Sequence, residues 1–459
     1  MLGQLGKKVH IIGIGGARLS SLAKILLSKG YQITGSDASE SRFTEAIRRL
    51  GITIYTGHEG NQVEKADWVV YTTAVGENNP ELVKARSLNL PVLEGAELLG
   101  LLMGDAETGV AIAGTHGKTT TTGMASLALL EAGVNPTIMI GGDFDPIGGN
   151  ARVGGTQVFL AEACEFREAF LRLKPTIGVI TNIDWDHPDC FPTLDSVAAT
   201  FRKFVALLPS DGILIVCGDD PLAAALADEA DCQTLRYGFT ENNDLIASNL
   251  RAREPLGQTY QLSIGGRALG TVTLAVPGCH NALNSLGSLA VCHALGLDLA
   301  KPIAALASFL GVHRRFEIKG QVAGITIVDD YAHHPSAVRL TLSTAKEHFR
   351  GRIWCVFQPH LYSRTKYLFG ELTNAFGDAD HVVFTDIYAA PAREADPGDI
   401  SSAVLAQETA KHHPAVHYFG GLQETAVQLT PLLKSGDLVI TMGAGDITNL
   451  GGQLLVTLA

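Results

Sequence analysis

The stretch that most constrains this chain runs from Gly109 to Thr122: Gly-Val-Ala-Ile-Ala-Gly-Thr-His-Gly-Lys-Thr-Thr-Thr-Thr. Val110 to Ala113 form a short apolar run that suits a buried strand. Gly114, Thr115, His116, Gly117, Lys118, Thr119 and Thr120 then turn it into a helix predicted to begin near Thr119. A glycine turn that feeds a helix N-terminus gathers backbone N–H groups at one point, which suits phosphate oxygens. Lys118 reaches the outer phosphates, and the Thr119 hydroxyl is a ligand for Mg²⁺. The spacing departs from Gly-x-x-x-x-Gly-Lys, since Ile112 stands where the first glycine would. Strand, turn, Lys-Thr and helix still coincide. The stretch reads as a nucleoside triphosphate site.

A chain of 459 residues exceeds one core and suggests three domains. The expected class is α/β. Residues 1–108 form a Rossmann-like domain, 109–312 a central P-loop-type domain with a mainly parallel sheet, and 313–459 a Rossmann-like C-terminal domain. A net charge of −12 argues against broad nucleic-acid binding, which needs a basic surface. No apolar run approaches a membrane span, and no membrane partner is expected. The apolar start at Val9 to Ile14 is broken by His10 and glycines, so it reads as a strand rather than a leader. Seven cysteines form no CxxC and no zinc spacing, which favours reduced thiols in a cytoplasmic protein. His10 and His293, each isolated, read as structural.

In the first segment, Lys8 to Ile12 is a strand pattern, followed by Gly13, Gly15 and Gly16 and a helix from Leu19 to Ser28. A second strand from Tyr31 ends at Ser36 and Asp37, where a ribose-binding carboxylate would stand. A nicotinamide dehydrogenase is the first alternative, but Arg18 holds the third glycine position of that fingerprint. The strand Ala66 to Tyr71 ends at Thr72 and Thr73. Their hydroxyls either face a ligand at a carboxyl strand end or cap the next helix, which Asn79-Pro80-Glu81 opens.

In the middle segment, Val158 to Glu165 and Ile177 to His187 are apolar strands ending in polar groups. A parallel sheet brings such ends beside the phosphate loop. Glu165 and His187 are therefore expected to join Thr119 around Mg²⁺, and His187 suggests a second metal. Glu162 is expected to salt-bridge or cap. Pro277 to Asn284 opens a helix whose His280 and Asn281 either read an adenine edge or cap it.

The last segment repeats the pattern. Strands end at Asp329-Asp330-Tyr331 before His333-His334-Pro335, at Gln358-Pro359-His360 before Arg364, and at Asp386-Ile387-Tyr388 with Arg393 behind. Adjacent histidines cannot easily share one ion, and no further His/Cys cluster supports zinc.

Gly114 to Thr120, Glu162-Ala163-Cys164-Glu165, Thr181 to His187 and Gly278 to Asn284 occur in this order. Together with Arg314-Arg315-Phe316-Glu317 and the Asp-Asp-Tyr-Ala-His-His-Pro run, they resemble the ATP-dependent Mur ligases of peptidoglycan synthesis over essentially the whole chain. The resemblance implies ATP and Mg²⁺ as cofactors. It places Lys118 and Thr119 on phosphates and magnesium, Glu165 and His187 on metal, and His280, Asn281 and Asn284 around adenine and ribose. Arg315 and Asp330 then reach across to ATP, while His333, His360 and Arg364 face the substrate carboxylate and the incoming amine. Gly15, Gly16, Ser20, Asp37, Thr72 and Thr73 are the matching candidates for a UDP-sugar.

The later motifs are similar to the branch that attaches the first amino acid, so UDP-N-acetylmuramate and L-alanine are the implied substrates, for a monomer or weak homodimer. A tripeptide-adding sibling and a non-catalytic UDP-muramate binder are the alternatives. Two departures stand out. Arg18 and its neighbours replace the third glycine of the N-terminal loop, and Gly95 stands where the family often has Arg. Several relatives carry a carbamoylated lysine; Thr200 to Lys203 gives no clear match, and the modification is not carried over.

Overall fold

The computed structural model describes residues 4–459 except 189, 255, 390–393 and 395, so Arg393 lies outside the described residues. Three sheets follow one another along the chain. The first is open and all parallel, in the order Thr53–Thr56, Gln32–Asp37, Lys8–Ile12, Trp68–Tyr71, Val92–Glu94. Its first turn depends on Gly13, at φ +79°, where a Cβ would meet Thr72 Cγ2 at 2.4 Å. The helix begins at Ala17, two residues earlier than expected, and runs to Ser28. Helix Pro80–Ser87 is capped by Asn79, whose Oδ1 accepts from the Glu81 and Leu82 N–H groups. Thr72 and Thr73 are thus not needed as its cap. His10 is a core histidine, bonded to Thr34 Oγ1 at 2.8 Å and Glu81 Oε1 at 2.7 Å.

Among the described residues the central sheet has ten strands. Its parallel part runs Leu245–Ala252, Gln233–Gly238, Ile213–Cys217, Ile177–Ile180, Thr108–Ala113, Val158–Glu162, Thr137–Phe144. Antiparallel strands extend it, Gln258–Ile264 and Arg267–Leu274 at one end and Gly149–Arg152 at the other. Thr108–Ala113 lies between Ile177–Ile180 and Val158–Glu162, so the chain order reverses across it. Ligands of open α/β sheets bind at that kind of crevice, outside the carboxyl strand ends. The phosphate loop leaves from there into helix Lys118–Glu131, which packs on helix Cys279–Ala294.

The third sheet is parallel apart from its first strand: Glu317–Val322, Ile325–Asp330, Leu438–Met442, Ile353–Phe357, His381–Phe384, Val416–Tyr418. The α/β architecture agrees with the sequence reading.

The cores do not follow the sheets one to one. A single apolar cluster runs from Val9, Ile11 and Leu26 through Leu99 and Met103 to Phe159, Phe201 and Val216 under the central sheet. Helix Gly95–Gly104 sits in the middle of it, and a Cβ on Gly100 would lie 1.9 Å from the Arg172 carbonyl oxygen. The third sheet has separate clusters on its two faces, around Phe357 and around Trp354.

Candidate active site

The phosphate loop is shaped by two glycines and gripped by its neighbour strand. Gly114 has φ +132° and Gly117 φ +82°; a Cβ would meet Thr181 Oγ1 at 2.0 Å in the first case and Asn284 Oδ1 at 2.4 Å in the second. Thr181 Oγ1 and Asn182 Nδ2 both donate to the His116 carbonyl, at 2.6 and 2.9 Å, and His116 N–H donates to Asn182 Oδ1 at 2.9 Å. The helix begins at Lys118 itself. Lys118 Nζ curls back onto the carbonyls of Gly114 (2.5 Å) and Thr115 (3.0 Å) and pairs with Glu165 Oε2 at 3.0 Å. Burial alone would lower the Lys118 ammonium, but Glu165, with Cys164 and Glu162, raises it above its ordinary value. It is a firmly held cation.

Thr119 Oγ1 donates to Glu162 Oε2 at 2.9 Å, and the same oxygen accepts from Gly141 N–H at 2.8 Å. Arg315 Nη2 donates to Thr119 Oγ1 at 3.3 Å from the third segment. Glu162 closes strand Val158–Glu162, whereas Glu165 lies beyond the strand end, before a short 3₁₀ turn. The two carboxylates therefore face different partners.

Glu165 Oε1 is 4.0 Å from His187 Nε2, and the Phe166 and His187 ring centres are 4.8 Å apart. Arg364 arrives from helix Tyr362–Tyr367, donating to Asp186 Oδ1 at 2.7 Å and to His187 Nδ1 at 3.1 Å. Burial would raise the Asp186 carboxyl, but Arg364 and the surrounding histidines hold it far below its ordinary range. Burial also lowers His187.

The third segment supplies the opposite wall. Asp330 accepts the N–H groups of Phe316 and Ala332, each at 2.7 Å, and burial raises its carboxyl despite Arg315 nearby. Arg315 stacks 4.9 Å from the Tyr331 ring centre. His333 Nδ1 is 2.9 Å from the Tyr331 carbonyl, and its ring is 6.0 Å from that of His360. An imidazole facing a carbonyl must donate, so Nδ1 carries the proton and Nε2 the lone pair. Burial holds His333 well below its usual pKa and hence neutral.

These groups line one cavity of about 770 Å³, together with His280, Asn281 and Asn284. His280 Nδ1 is buried without a hydrogen-bond partner, and burial pushes the ring down to about 4. Asn281 and Asn284 are engaged internally: Asn284 Nδ2 donates to Asn281 Oδ1 at 3.1 Å, Thr121 Oγ1 donates to Asn284 Oδ1 at 3.2 Å, and Asn281 Nδ2 donates to the Pro277 carbonyl at 2.7 Å.

Comparison with known proteins gives the same picture along the whole chain. Residues 8–107 match the model described as Mur ligase family, catalytic domain; residues 112–292 match the Mur ligase middle domain, and residues 314–445 the Mur ligase, glutamate ligase domain. The UDP-N-acetylmuramate–L-alanine ligase of Clostridium novyi is 44% identical over 98% of this chain and 97% of its own length. That of Alkaliphilus metalliredigens is 42% identical over the same shares. This chain belongs to the Mur ligase family. In structure it is similar to the UDP-N-acetylmuramate-alanine ligase MurC of Thermotoga maritima, with a TM-score of 0.83, 29% identity and 98% of each chain covered.

Several residues of this Mur ligase stand apart from the expected grouping. Thr119 contacts Glu162 rather than Glu165, so Glu162 takes a place in the pocket that the sequence reading left to salt-bridging or capping. The N-terminal candidates lie on a separate rim, and among the described residues Arg42 is the first segment's contribution to the cavity lining. There Asp37 Oδ2 accepts the Gly15 N–H at 2.8 Å, and Gly16 is an extended N-cap without a side-chain bond. Ser20 is fully buried, its Oγ donating to the Ala17 carbonyl at 3.0 Å and lying 3.3 Å from Asn150 Nδ2. The Thr73 carbonyl accepts from Arg167 Nη1 at 3.1 Å, while Thr72 Oγ1 faces the Ala74 N–H at 3.4 Å. Arg18 is exposed at the start of helix Ala17–Ser28. Lys203 makes an exposed pair with Glu168 at 2.6 Å. Thr181, Asn182 and Asp186 belong to the motif that carried the resemblance but were given no role by sequence; Thr181 and Asn182 shape the loop, and Asp186 receives Arg364.

Proposed function

We propose that this Mur ligase uses ATP to join L-alanine to the carboxylate of UDP-N-acetylmuramate through an acyl phosphate, in peptidoglycan precursor synthesis. The observation that carries the reading is the convergence of Lys118, Glu162, Glu165 and His187 from the middle segment with Arg315, His333 and Arg364 from the last on one cavity. The relatives, both UDP-N-acetylmuramate–L-alanine ligases by name, supply the substrates. Segments 1–108, 109–312 and 313–459 then divide the work among UDP-sugar binding, ATP binding and amino-acid delivery.

An amide cannot form directly from a carboxylate and an amine at neutral pH, because the leaving group would be oxide. The substrate carboxylate therefore attacks the γ-phosphorus, ADP departs, and the amine attacks the resulting acyl phosphate to release phosphate. Lys118 leaves its two carbonyl partners to meet the phosphate charge, and Arg315 approaches from the other wall. Their work is positioning and charge neutralisation. His333, neutral with its lone pair on Nε2, takes the proton that the amine loses, beside His360. Arg364 holds the substrate carboxylate. His280, half-buried with a buried Nδ1 that lacks a hydrogen-bond partner, faces the adenine, while Asn281 and Asn284 brace helix Cys279–Ala294 behind it.

Glu165 Oε2 is buried, 3.0 Å from Lys118 Nζ but without a hydrogen-bond partner. Glu165 with His187 on one side of the cavity, and Thr119 with Glu162 on the other, are the groups that would hold divalent cations there. When bound, Mg²⁺ offsets charge on the transferred phosphoryl group.

Phosphate release measured with each substrate omitted in turn tests the reading. Release only with ATP, UDP-N-acetylmuramate and L-alanine together supports it. A preference for a tripeptide over L-alanine replaces it with the sibling ligase, and release without the amino acid overturns it.

A further inference from the structure

Beneath the phosphate loop, three side chains from three separate stretches of chain converge. His116 comes from the loop itself, Asp184 from the segment after strand Ile177–Ile180, and His334 from the N-cap of helix Pro335–His348. One ligating atom from each lies within 4.8 Å of the others. His116 Nε2 is 3.1 Å from Asp184 Oδ2, and the two imidazole centres are 5.3 Å apart. A tetrahedral ion with bonds of about 2.0–2.1 Å sets its ligand atoms about 3.3 Å apart and two imidazole centres about 5 Å apart. The spacing is that of a bis-imidazole site.

The surroundings orient His334 and Asp184 as metal ligands are usually oriented. Ser336 N–H donates to His334 Nδ1 at 3.3 Å, so Nε2 carries the proton and donates to the Trp185 carbonyl at 3.0 Å. A ligating histidine commonly gives its other N–H to a carbonyl in this way. Ser336 Oγ donates to Asp184 Oδ2 at 3.0 Å, and the Asp184 backbone exchanges hydrogen bonds with Thr115 Oγ1 at 2.9 and 3.1 Å. Taking up an ion costs the hydrogen shared by His116 and Asp184 and one long cap bond. Two imidazoles and one carboxylate select Zn²⁺, Ni²⁺ or Co²⁺ over Mg²⁺.

We propose that His116, Asp184 and His334 form a transition-metal site, completed by water, which pins the phosphate loop to the last segment and inhibits turnover when Zn²⁺ fills it. The inhibitory half rests on the ligase reading; the binding half does not. The site shares no ligand with Glu162, Glu165 and His187, although His116 and His334 line the same cavity, and it makes use of His334, which by sequence had no visible partner.

The test is calorimetric titration of Zn²⁺ into the full chain without nucleotide and with Mg²⁺ in excess. One Zn²⁺ per chain is expected, bound about tenfold or more weakly in Asp184→Asn and in His334→Asn, and equally well in Cys279→Ser, which removes the exposed thiol. The visible spectrum of the Co²⁺-loaded wild type decides the ligand set even if a variant misfolds. Four-coordinate bands without sulfur charge transfer are expected. Absence of stoichiometric binding, unchanged binding in both variants, loss in Cys279→Ser, or a sulfur band overturns the site. Zn²⁺ that binds while phosphate release continues unchanged overturns the inhibitory half alone. No release under any condition, with Zn²⁺ binding intact, refutes the ligase reading and leaves the site standing.

Discussion

This molecule contains two turns built alike, and they differ in what surrounds them. Gly13 to Gly16 and Gly114 to Gly117 both follow a parallel strand and open a helix, and both use glycines with positive φ. The second is wired: Thr181 and Asn182 hold its carbonyl, Asn284 packs on Gly117, and Lys118 is paired with Glu165. The first is open. Its helix lacks a side-chain cap, its carboxylate Asp37 is bonded to Gly15, and Arg18, in the third glycine position, is exposed. A backbone cradle thus becomes a reacting site only when charge is held against it. Without that, it is suited to binding.

Removing the held charge is the hardest blow to this contrast. Lys118→Ala should lower kcat by about a hundredfold to a thousandfold, the scale of deleting one preorganised donor at a developing charge. Near-normal turnover in that variant would erase the distinction between the loops.

Next come the glycines. Gly117→Ala and Gly13→Ala each force a side chain into left-handed backbone, at about 1–2 kcal/mol, and each collides at 2.4 Å, with Asn284 Oδ1 and Thr72 Cγ2 respectively. The KM for ATP should rise about tenfold or more in the first and stay unchanged in the second, which should instead raise the KM for UDP-N-acetylmuramate. If both variants disturb the same substrate, the loops do not have separate roles.

The two carboxylates sharpen the wired side. Glu162→Ala and Glu165→Ala should each raise the Mg²⁺ concentration for half-maximal rate, by about tenfold. An unchanged Mg²⁺ dependence in either removes that residue from the metal's surroundings. The smallest effect belongs to the open loop. Arg18→Ala should raise the KM for UDP-N-acetylmuramate about twofold to fivefold, the worth of one exposed ionic contact, with kcat preserved. A fall in kcat instead would mean that Arg18 acts across the boundary toward Cys164, whose thiol its charge reaches.

The α/β pattern and the phosphate loop were legible because strand, glycine and helix signals are local. Partner choice was not. In Glu162-Ala163-Cys164-Glu165 the strand ends at the first carboxylate, and the chain then enters a 3₁₀ turn with left-handed residues at Arg167 and Glu168. Alternation no longer predicts facing there, so the Thr119–Glu162 hydrogen bond was not visible in the sequence. His334 shows the same limit from the other side, since its neighbours His116 and Asp184 are 218 and 150 positions away in sequence. Ser20 was read for a ligand, yet its hydroxyl is turned inward to the Ala17 carbonyl.

The apolar cluster that threads from the first sheet beneath the second has a consequence for how the molecule comes apart. Leu99, Met103 and Phe170 belong to it, and Gly100 touches the Arg172 carbonyl too closely for any larger residue. Elements sharing one buried core melt cooperatively, so three sheets need not give three calorimetric transitions. Two are expected, one for the last segment and one for the first two together. The boundary near residue 108 is then a poor place to cut the gene, and the one near 313 a better one.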